Sequence, residues 1–540
     1  MRAGRKTVTE SVETTGRRPS PSTDVIEVMD STLRDGEQMQ DGSFTSEEKL
    51  SITRMLIEEV GVNRVEIASA RVSEGESQAV EGTIRWAGER GHLDRIEVLG
   101  FTDIKTSVDW IAAHGARIMN LLVKGSLKHL ANQLRQTPEQ HLKRIHQTAD
   151  HAASKGVRVN VYLEDWSNGI LESPDYVHAL LDGMKDLPIG RFMLPDTLGI
   201  LCPDQVTRLI TDTVERYPEL TFDFHGHNDY GLATANTVAA VRAGVSGIHA
   251  TVNGVGERAG NTPLDEAVVC IHDFLGRKTT IDEKRLTAIS ETVEIFSGRR
   301  VAVNKPISGI NVFTHTAGIH ADGDKKANLY ANRLLPERFD RKRRYALGKL
   351  SGKSNLEYNL NEMEIEITDE QKRLVLERII SLGDRKQTIT QEDLPYIVSD
   401  VLETPQDRSF VIQSCVVVSS LGLKPMATVK LGYREKDSQE YEEHEESAQG
   451  DGGYDAIMNA IRKIARRLRF KFPILADYQV SIPSGGMSDA LVQCSITWKA
   501  DTTFVTKGVN PDQVMAAAEA TEKMLNIVAL RRRRGSSAQS

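Results

Sequence analysis

Short apolar runs alternate with longer amphipathic segments over the first half of the chain. Eight runs rich in β-branched or other apolar residues occupy positions 25–30, 63–69, 95–101, 117–123, 157–163, 190–195, 220–227 and 245–253. Segments between them, such as 46–61, start with a capping residue, here Ser46, repeat apolar residues every three or four positions and end at a glycine, as helices do. Eight strand–helix units in about 250 residues predict a (β/α)8 barrel. An open doubly wound sheet is the alternative, but no GxGxxG motif follows the first run.

The pattern changes after residue 275. A polar, mostly helical region extends to about residue 404, and from Arg408 onward strand patterns alternate with two amphipathic helices. We therefore predict a disordered tail over 1–23, a TIM-barrel catalytic domain over 24–277, a helical linker subdomain over 278–404 and a C-terminal α+β regulatory or dimerisation domain over 405–540. The acidic stretch 434–453 is expected to be a solvated loop.

Composition narrows the class of protein. The 540 residues carry a net charge of -8, and the basic runs lie near the two ends of the sequence, so a nucleic-acid partner is not expected. The four cysteines are far apart and form no CxxC pair, which argues against a disulfide framework or a thiolate zinc site and favours the reducing cytoplasm. No run approaches the ~20 apolar residues of a membrane span, so we expect no membrane association.

The residues that follow the predicted strands carry the chemistry. In a barrel of this kind the active site is built from the loops after the carboxyl ends of the strands. The candidates at those ends are Arg34 and Asp35 after the first run, Glu164 after the fifth, Thr197 after the sixth, His225 and His227 at the end of the seventh, and Asn261 after the eighth.

Four of these residues form a candidate metal site. His225 and His227 are two positions apart on a strand, so both imidazoles point to one face, although such a pair alone is more often polar surface. Strands 1, 7 and 8 are neighbours in a closed barrel, so Asp35 and Asn261 can converge on the same point. Imidazole and oxygen donors without a thiolate predict a divalent ion with open positions for substrate, such as Mg, Mn, Co or Zn.

Three further side chains are candidates for binding or proton transfer. Arg34 can stabilise charge on a carbonyl oxygen, and the alternative is an ion pair with Asp30 or Glu66. Glu164 can act as a general acid or base or accept a hydrogen bond from substrate, and the alternative is a solvated carboxylate. Thr197 can donate to a substrate carboxylate or cap the following helix.

Several longer motifs together resemble one enzyme family. STLRDGEQ (31–38), LPDTLG (194–199), HGHNDYGLATANTVAAVRAG (225–244), NGVGERAGNTPL (253–264) and TAGIHADG (316–323) resemble the 2-isopropylmalate, homocitrate and citramalate synthases. The resemblance covers residues 25 to about 404, and the last block, with GDGGYDAIMNAI (450–461), resembles their C-terminal regulatory domain. It implies an acyltransferase: acetyl-CoA loses a methyl proton, the enolate attacks the keto carbon of a metal-bound 2-oxo acid, and the thioester is hydrolysed.

The same resemblance implies roles for residues that spacing alone does not single out. His320 and Tyr330 would reach the active site from the partner subunit of a domain-exchanged homodimer and assist proton transfer, whereas their residue types alone suggest only loop hydrogen bonding. Substrate contacts would come from Arg34, Leu99, Leu122, Tyr162, Thr197, Asp322, Asn328 and Leu329.

The pocket beside the keto carbon bears on the choice of 2-oxo acid. Tyr162 stands where isopropylmalate synthases resemble one another in having a small Ser, and the segment 117–126 lacks the His of their pattern near Met119. At both positions the chain resembles citramalate synthases, which use pyruvate in isoleucine biosynthesis. Because one or two pocket side chains shift discrimination by only ~1 to 3 kcal/mol, a 2-isopropylmalate synthase using 2-oxoisovalerate, in leucine biosynthesis, is the main alternative.

The C-terminal block carries the remaining alternatives. The resemblance implies that it binds a branched-chain amino acid as inhibitor, isoleucine or leucine according to the pathway, and the loops near 450–455 and 484–489 are the candidate positions. A dimerisation domain without a ligand is the simpler interpretation. A catalytically silent amino-acid sensor is a third, against which the intact Arg34, Asp35 and histidine pair argue.

Overall fold

The computed structural model describes residues 25–40, 42–327, 329–363, 365–384, 389, 391–402, 408–435, 438, 440–481, 492–500 and 503–537. The predicted tail 1–23, Asn328 and the loop 484–489 lie outside the described residues. The chain divides into two compact units. One extends up to Phe313 and includes Asn332–Lys342, and the other comprises Thr314–Ala331 and the chain from Arg343 onward.

Eight parallel strands of the first unit close into a barrel. Each strand pairs with the next along the chain, and the last pairs with the first. The strands are β1 (Glu27–Asp30), β2 (Arg64–Ser69), β3 (Ile96–Phe101), β4 (Ile118–Lys124), β5 (Arg158–Glu164), β6 (Ile189–Asp196), β7 (Phe222–Gly226) and β8 (Gly247–Ala250). The predicted (β/α)8 barrel is confirmed, and the open sheet is wrong, because β1 pairs in register with both β2 and β8.

Helices connect the strands and pack around the barrel. They are α1 (Ser46–Arg54), α2 (Glu74–Arg90), α3 (Thr106–Ala113), α4 (Leu127–His129), α5 (Pro138–Ser154), α6 (Trp166–Glu172), α7 (Pro174–Met184), α8 (Pro203–Arg216), α9 (Ala233–Ala243), α10 (Leu264–Cys270) and α11 (Leu286–Ser297). The cap of α1 is Thr45 and not the expected Ser46: the Thr45 hydroxyl accepts the Glu48 N–H, and the Glu48 carboxylate accepts the Thr45 N–H.

Charged side chains fill the barrel interior at the amino ends of the strands. Arg64 pairs with Glu97 at 3.1 Å, with Asp223 at 2.5 Å and with Glu27 at 3.5 Å. Arg191 pairs with Asp223 at 2.8 Å and also with Glu27. We call these five residues the charged floor. Each of its three carboxylates faces at least one guanidinium, so no ion of the floor is buried alone.

An apolar layer follows further along the strands. Met29, Leu99, Tyr162 and Met193 are buried together, with the partly buried Leu122 against them. We call these five residues the apolar cluster. It lies between the charged floor and the loops at the carboxyl ends of the strands.

The second unit combines a helical region with an α+β domain. The helices α12 (Gly318–Ala327), α13 (Lys353–Glu362), α14 (Asp369–Asp384) and α15 (Leu394–Val401) accompany the short strands β9 (Thr314–His315) and β10 (Arg344–Tyr345). Two three-stranded antiparallel sheets follow, formed by β11 (Phe410–Val418), β12 (Met426–Tyr433) and β13 (Glu442–Gln449), and by β14 (Ile474–Ser481), β15 (Val492–Lys499) and β16 (Thr503–Asn510). The helices α16 (Gly453–Arg467) and α17 (Gln513–Ser537) share one hydrophobic core with them, as expected of an α+β domain.

The acidic stretch 434–453 was expected to be a loop, and this expectation is wrong. It contains β13, which pairs with β12 along its whole length. The strand lies at the edge of its sheet, and Glu443 pairs across to Lys430 at 2.7 Å. Charged residues are typical of an edge strand, since they oppose pairing with other sheets. No helix of the described residues is long and apolar enough to cross a membrane.

Candidate active site

The loop after β1 positions two of the candidate residues. The N–H groups of Arg34, Asp35 and Gly36 all donate to the Ser31 carbonyl, at 2.9 to 3.2 Å. This tight turn directs the neighbouring Arg34 and Asp35 side chains toward one point at the barrel mouth, where they meet at 2.6 Å.

The predicted metal ligands lie together. One ligand atom from each of Asp35, His225 and His227 lies within 4.8 Å of the others, and all three residues are buried. Asn261 donates from Nδ2 to Asp35 Oδ1 at 2.9 Å, while its buried Oδ1 has no hydrogen-bond partner among the described residues. A Cβ at Gly256 would collide with the Asn261 amide, so a glycine is required there for this approach.

Burial and neighbouring charges set the protonation states of these ligands. Burial by itself would raise the pKa of Asp35, but Arg34, His225 and His227 outweigh it and hold that pKa well below its usual range. Burial lowers the pKa of His225 well below its usual value and also lowers that of His227. An ionised carboxylate and two neutral imidazoles are the forms that bind a divalent cation.

Arg34 faces two carboxylates. Its Nε donates to Glu66 Oε2 and its Nη1 to Asp35 Oδ2, each at 2.6 Å, and its Nη2 lies 3.3 Å from the Tyr162 hydroxyl. The ion pair with Glu66 therefore exists, whereas Asp30 accepts the Thr32 N–H instead. One cation beside two buried carboxylates leaves an excess of negative charge at the mouth.

The residues predicted to select the 2-oxo acid also lie at the mouth. Leu122 and Tyr162 are paired in register across β4 and β5, and Leu99 packs with Tyr162 in the apolar cluster. Tyr162 is 3% exposed, and its ring lies 5.5 Å from the Arg34 guanidinium carbon. The phenol therefore occupies space directly beside the charged loop after β1.

Glu164 and Thr197 lie at the ends of β5 and β6. Glu164 forms a close ion pair with Lys124, its register partner on β4. The Thr197 hydroxyl accepts the Asp165 N–H at 2.9 Å. Thr197 does not cap the next helix, because α8 begins at Pro203 with Cys202 as its N-cap.

The remaining predicted residues belong to the second unit. His320 and Asp322 lie on α12, and the His320 ring lies 4.2 Å from the Tyr330 ring, centroid to centroid. Tyr330 donates its backbone N–H to Asp324 at 3.0 Å, and Leu329 is largely exposed. Their roles in catalysis and substrate binding stay a prediction.

Sequence reasoning gave no role to Asn120, Lys124 and His249, and considered Glu66 only as an ion-pair partner of Arg34. Glu66 accepts hydrogen bonds from Arg34, from Ser31 at 2.8 Å and from Asn120 at 2.8 Å. Lys124 holds Glu164, and His249 contacts Tyr162 at 2.9 Å. A signal was available: Glu66, Asn120 and His249 each have an apolar residue on both sides within a predicted strand.

Three family models match the chain in succession. Residues 25–293 match the model described as HMGL-like, residues 307–387 the homocitrate synthase post-HMGL domain-like model, and residues 388–529 the LeuA allosteric (dimerisation) domain. The barrel, with its buried Asp–His–His group, thus belongs to the HMGL-like class. The two domains that follow it are those described for homocitrate synthase and LeuA.

Relatives over almost the whole chain identify the family. The chain is 34% identical over 516 residues to the putative (R)-citramalate synthase CimA of Methanopyrus kandleri, covering 94% of this chain and 98% of that protein. It is 32% identical over 507 residues to the (R)-citramalate synthase CimA of Methanocaldococcus jannaschii (93% and 99%) and 33% identical over 516 residues to the probable 2-isopropylmalate synthase of Methanopyrus kandleri (94% and 99%). This chain belongs to the 2-isopropylmalate, homocitrate and citramalate synthase family of condensing acyltransferases, as its motifs predicted.

Proposed function

We propose that this enzyme condenses acetyl-CoA with pyruvate and that water then hydrolyses the thioester, which gives citramalate and free CoA. The observation that carries the choice of pyruvate is the position of Tyr162. Its ring is buried in the apolar cluster, and its hydroxyl lies 3.3 Å from Arg34. The keto carbon of a substrate beside Arg34 has this ring as its neighbour. The methyl group of pyruvate fits such a site, and the isopropyl group of 2-oxoisovalerate competes with the ring.

The donor set fits a divalent metal ion. Asp35, His225 and His227 supply a carboxylate and two imidazoles in the required protonation states. Oδ1 of Asn261, which has no hydrogen-bond partner in the described part of the chain, supplies a fourth ligand atom. The single guanidinium of Arg34 does not balance Asp35 and Glu66, so a cation also improves the charge balance. When bound, the ion would act as a Lewis acid and as a template that orients the 2-oxo acid.

The chain's own residues bind and activate the two substrates. Arg34 donates to the keto oxygen, on which negative charge grows as the new carbon–carbon bond forms. Thr197, whose oxygen already accepts the Asp165 N–H, donates its proton to the substrate carboxylate. Glu164, held in place by Lys124, transfers protons at the mouth together with His320 and Tyr330 of a partner subunit.

The C-terminal domain adds a proposal on assembly and control. Since residues 388–529 match an allosteric dimerisation domain, we propose a homodimer inhibited by a branched-chain amino acid, isoleucine for a citramalate route. The candidate loop near 450–455 is ordered by Asp455, which accepts from the Asp451 N–H at 3.0 Å and from Asn459 at 3.2 Å. Any inhibition acts by shifting the equilibrium of the catalytic unit.

The test is the release of free CoA by metal-loaded protein with a graded series of 2-oxo acids. We expect kcat/KM to fall from pyruvate through 2-oxobutanoate to 2-oxoisovalerate, and the variant Tyr162→Ser to reduce that preference by about tenfold or more. A wild-type preference for 2-oxoisovalerate would make the protein a 2-isopropylmalate synthase instead. If no 2-oxo acid supports CoA release, the protein is a sensor and not an enzyme.

A further inference from the structure

We propose that His249 is a positioning residue that holds Tyr162 in place and so sets the size of the pocket for the 2-oxo acid. This inference rests on the proposed function for the identity of the substrates. His249 lies on β8, is 1% exposed and has no place in the metal-ligand group. Its Nδ1 lies 2.9 Å from the Tyr162 hydroxyl, and its Nε2 lies 3.4 Å from Asp223 Oδ2 in the charged floor.

The direction of these hydrogen bonds follows from the charged floor. Burial alone would raise the pKa of Asp223, but Arg64, the contact with His249 and Arg191 outweigh it and keep this carboxyl ionised. A carboxylate only accepts, so Nε2 of His249 carries a hydrogen and donates to Asp223. The Tyr162 oxygen accepts from Arg34, which can only donate, so the phenol proton is free to be donated to Nδ1 of His249.

Tyr162 has its proton available for this bond. Burial, together with the Glu66 carboxylate, raises the pKa of Tyr162 well above its usual value. The competing acceptor, Glu66 Oε2, lies at 3.5 Å and already accepts from Arg34 and Ser31. The Tyr162 proton therefore points to His249, and the phenol oxygen presents its lone pairs to Arg34.

The result is a chain of contacts from the floor to the pocket. Asp223 is fixed by two guanidiniums, His249 is oriented by Asp223, and Tyr162 is anchored by His249 at the far end of its ring. The His249 and Tyr162 rings also meet edge to face, at 5.3 Å and 80°. A phenol anchored at its hydroxyl cannot rotate away from a larger substrate, so the anchor adds selectivity that the ring alone does not give.

Two substitutions separate the two hydrogen bonds of His249. His249→Asn places a carbonyl oxygen near the position of Nδ1 and keeps an acceptor for Tyr162. His249→Gln reaches the position of Nε2 and keeps a donor to Asp223, but removes the acceptor that faces Tyr162 at the position of Nδ1. The pair therefore distinguishes an anchor for Tyr162 from a residue that only completes the charged floor.

The measurement is kcat/KM for pyruvate divided by kcat/KM for 2-oxoisovalerate, in the full-length metal-loaded enzyme. We expect His249→Gln to lower this ratio by about tenfold or more, mainly through a lower KM for the branched acid, and His249→Asn to retain most of the wild-type preference. Tyr162→Phe removes only the hydroxyl and should lower the ratio as His249→Gln does. Combining it with His249→Gln should cause no further loss, because both changes remove the same bond.

The inference is overturned if the ratio is unchanged in both His249→Gln and Tyr162→Phe, or if His249→Asn loses as much selectivity as His249→Gln. Should His249→Gln not fold, Tyr162→Phe with an unchanged ratio suffices to overturn it. A wild-type preference for 2-oxoisovalerate rejects the proposed function instead, and the two failures are therefore distinguishable.

Discussion

At the amino ends of the barrel strands, Arg64 and Arg191 pair with the carboxylates of Glu27, Glu97 and Asp223. These ion pairs form the charged floor. At the carboxyl ends the charges are similar in kind, but two imidazoles and an amide lie beside one of the two carboxylates. Arg34 alone faces Asp35 and Glu66, and the oxygen of Asn261 has no partner among the described residues.

The difference separates a structural cluster from a functional one. Buried ions that pair with one another within the protein are structural, because removing one partner exposes the cost of burying the other. Buried polar atoms that lack hydrogen-bond partners cost folding free energy unless a ligand binds to them. The same barrel interior therefore carries a rigid floor at one end and a site for a cation and substrate at the other.

Removing an arginine of the charged floor should cause the largest change in the free energy of unfolding. Arg64→Met leaves Glu97 without its guanidinium and removes one of the two that Asp223 contacts, so we expect unfolding of the barrel to become easier by about 3 to 5 kcal/mol. Denaturant titration of the purified protein measures this loss. Metal affinity of the folded variant should be unchanged, and a parallel loss of metal binding would show that the two ends are not independent.

Asp30 tests the cost of burying a carboxyl that forms no ion pair with any of the described residues. Burial raises its pKa from 3.8 to about 7, against the opposing hydrogen bonds from Thr32. Between these two pH values the unfolded chain releases the Asp30 proton first, so the free energy of unfolding falls as pH rises, by about 4 kcal/mol from this group.

The variant Asp30→Asn should remove that fall. We expect it to be more stable than the wild type above pH 7 and equally stable near pH 4, as measured by denaturant titration over a series of pH values. Equal stability of the two proteins at high pH would show that Asp30 is ionised without cost in the folded state.

Removing a ligand residue at the barrel mouth should affect metal binding rather than folding. Asp35→Asn removes the one carboxylate of the ligand group, and we expect metal affinity to fall by more than about 100-fold, since even residues that only orient metal ligands cost 10 to 100-fold. Isothermal titration with Mn or Mg measures it. The matched control is Asp229→Asn, a carboxylate at the same mouth that pairs with Arg258 at 2.8 Å and lies outside the ligand group.

The smallest effect should come from an exposed ion pair beside the floor. Arg158, at the start of β5, pairs with Asp94 at 2.5 Å, but both side chains are about 60% exposed. We expect Arg158→Gln to change the free energy of unfolding by less than about 1 kcal/mol, since water solvates both partners. A loss as large as that of Arg64→Met would show that burial is not what distinguishes the floor.

The sequence was most informative where local rules apply. The period of two along a strand placed His225 and His227 on one face, and the closure of eight strand–helix units placed Asp35 and Asn261 beside them. It was least informative for contacts between distant residues. Arg64 meets Asp223 across 159 positions, and Tyr162 meets His249 across 87, and no periodicity links such pairs.

The same limit explains the local errors. The acidic character of 434–453 suggested a loop, because nothing in the stretch itself shows that Glu442–Gln449 pairs with β12 at a sheet edge. The sequence by itself determined the order of the strands and helices and the residue types at the strand ends, because periodicity, caps and turns are local. Only the tertiary structure decided which charge meets which partner and which carboxyl stays ionised, because burial and long-range pairing arise only when the barrel closes.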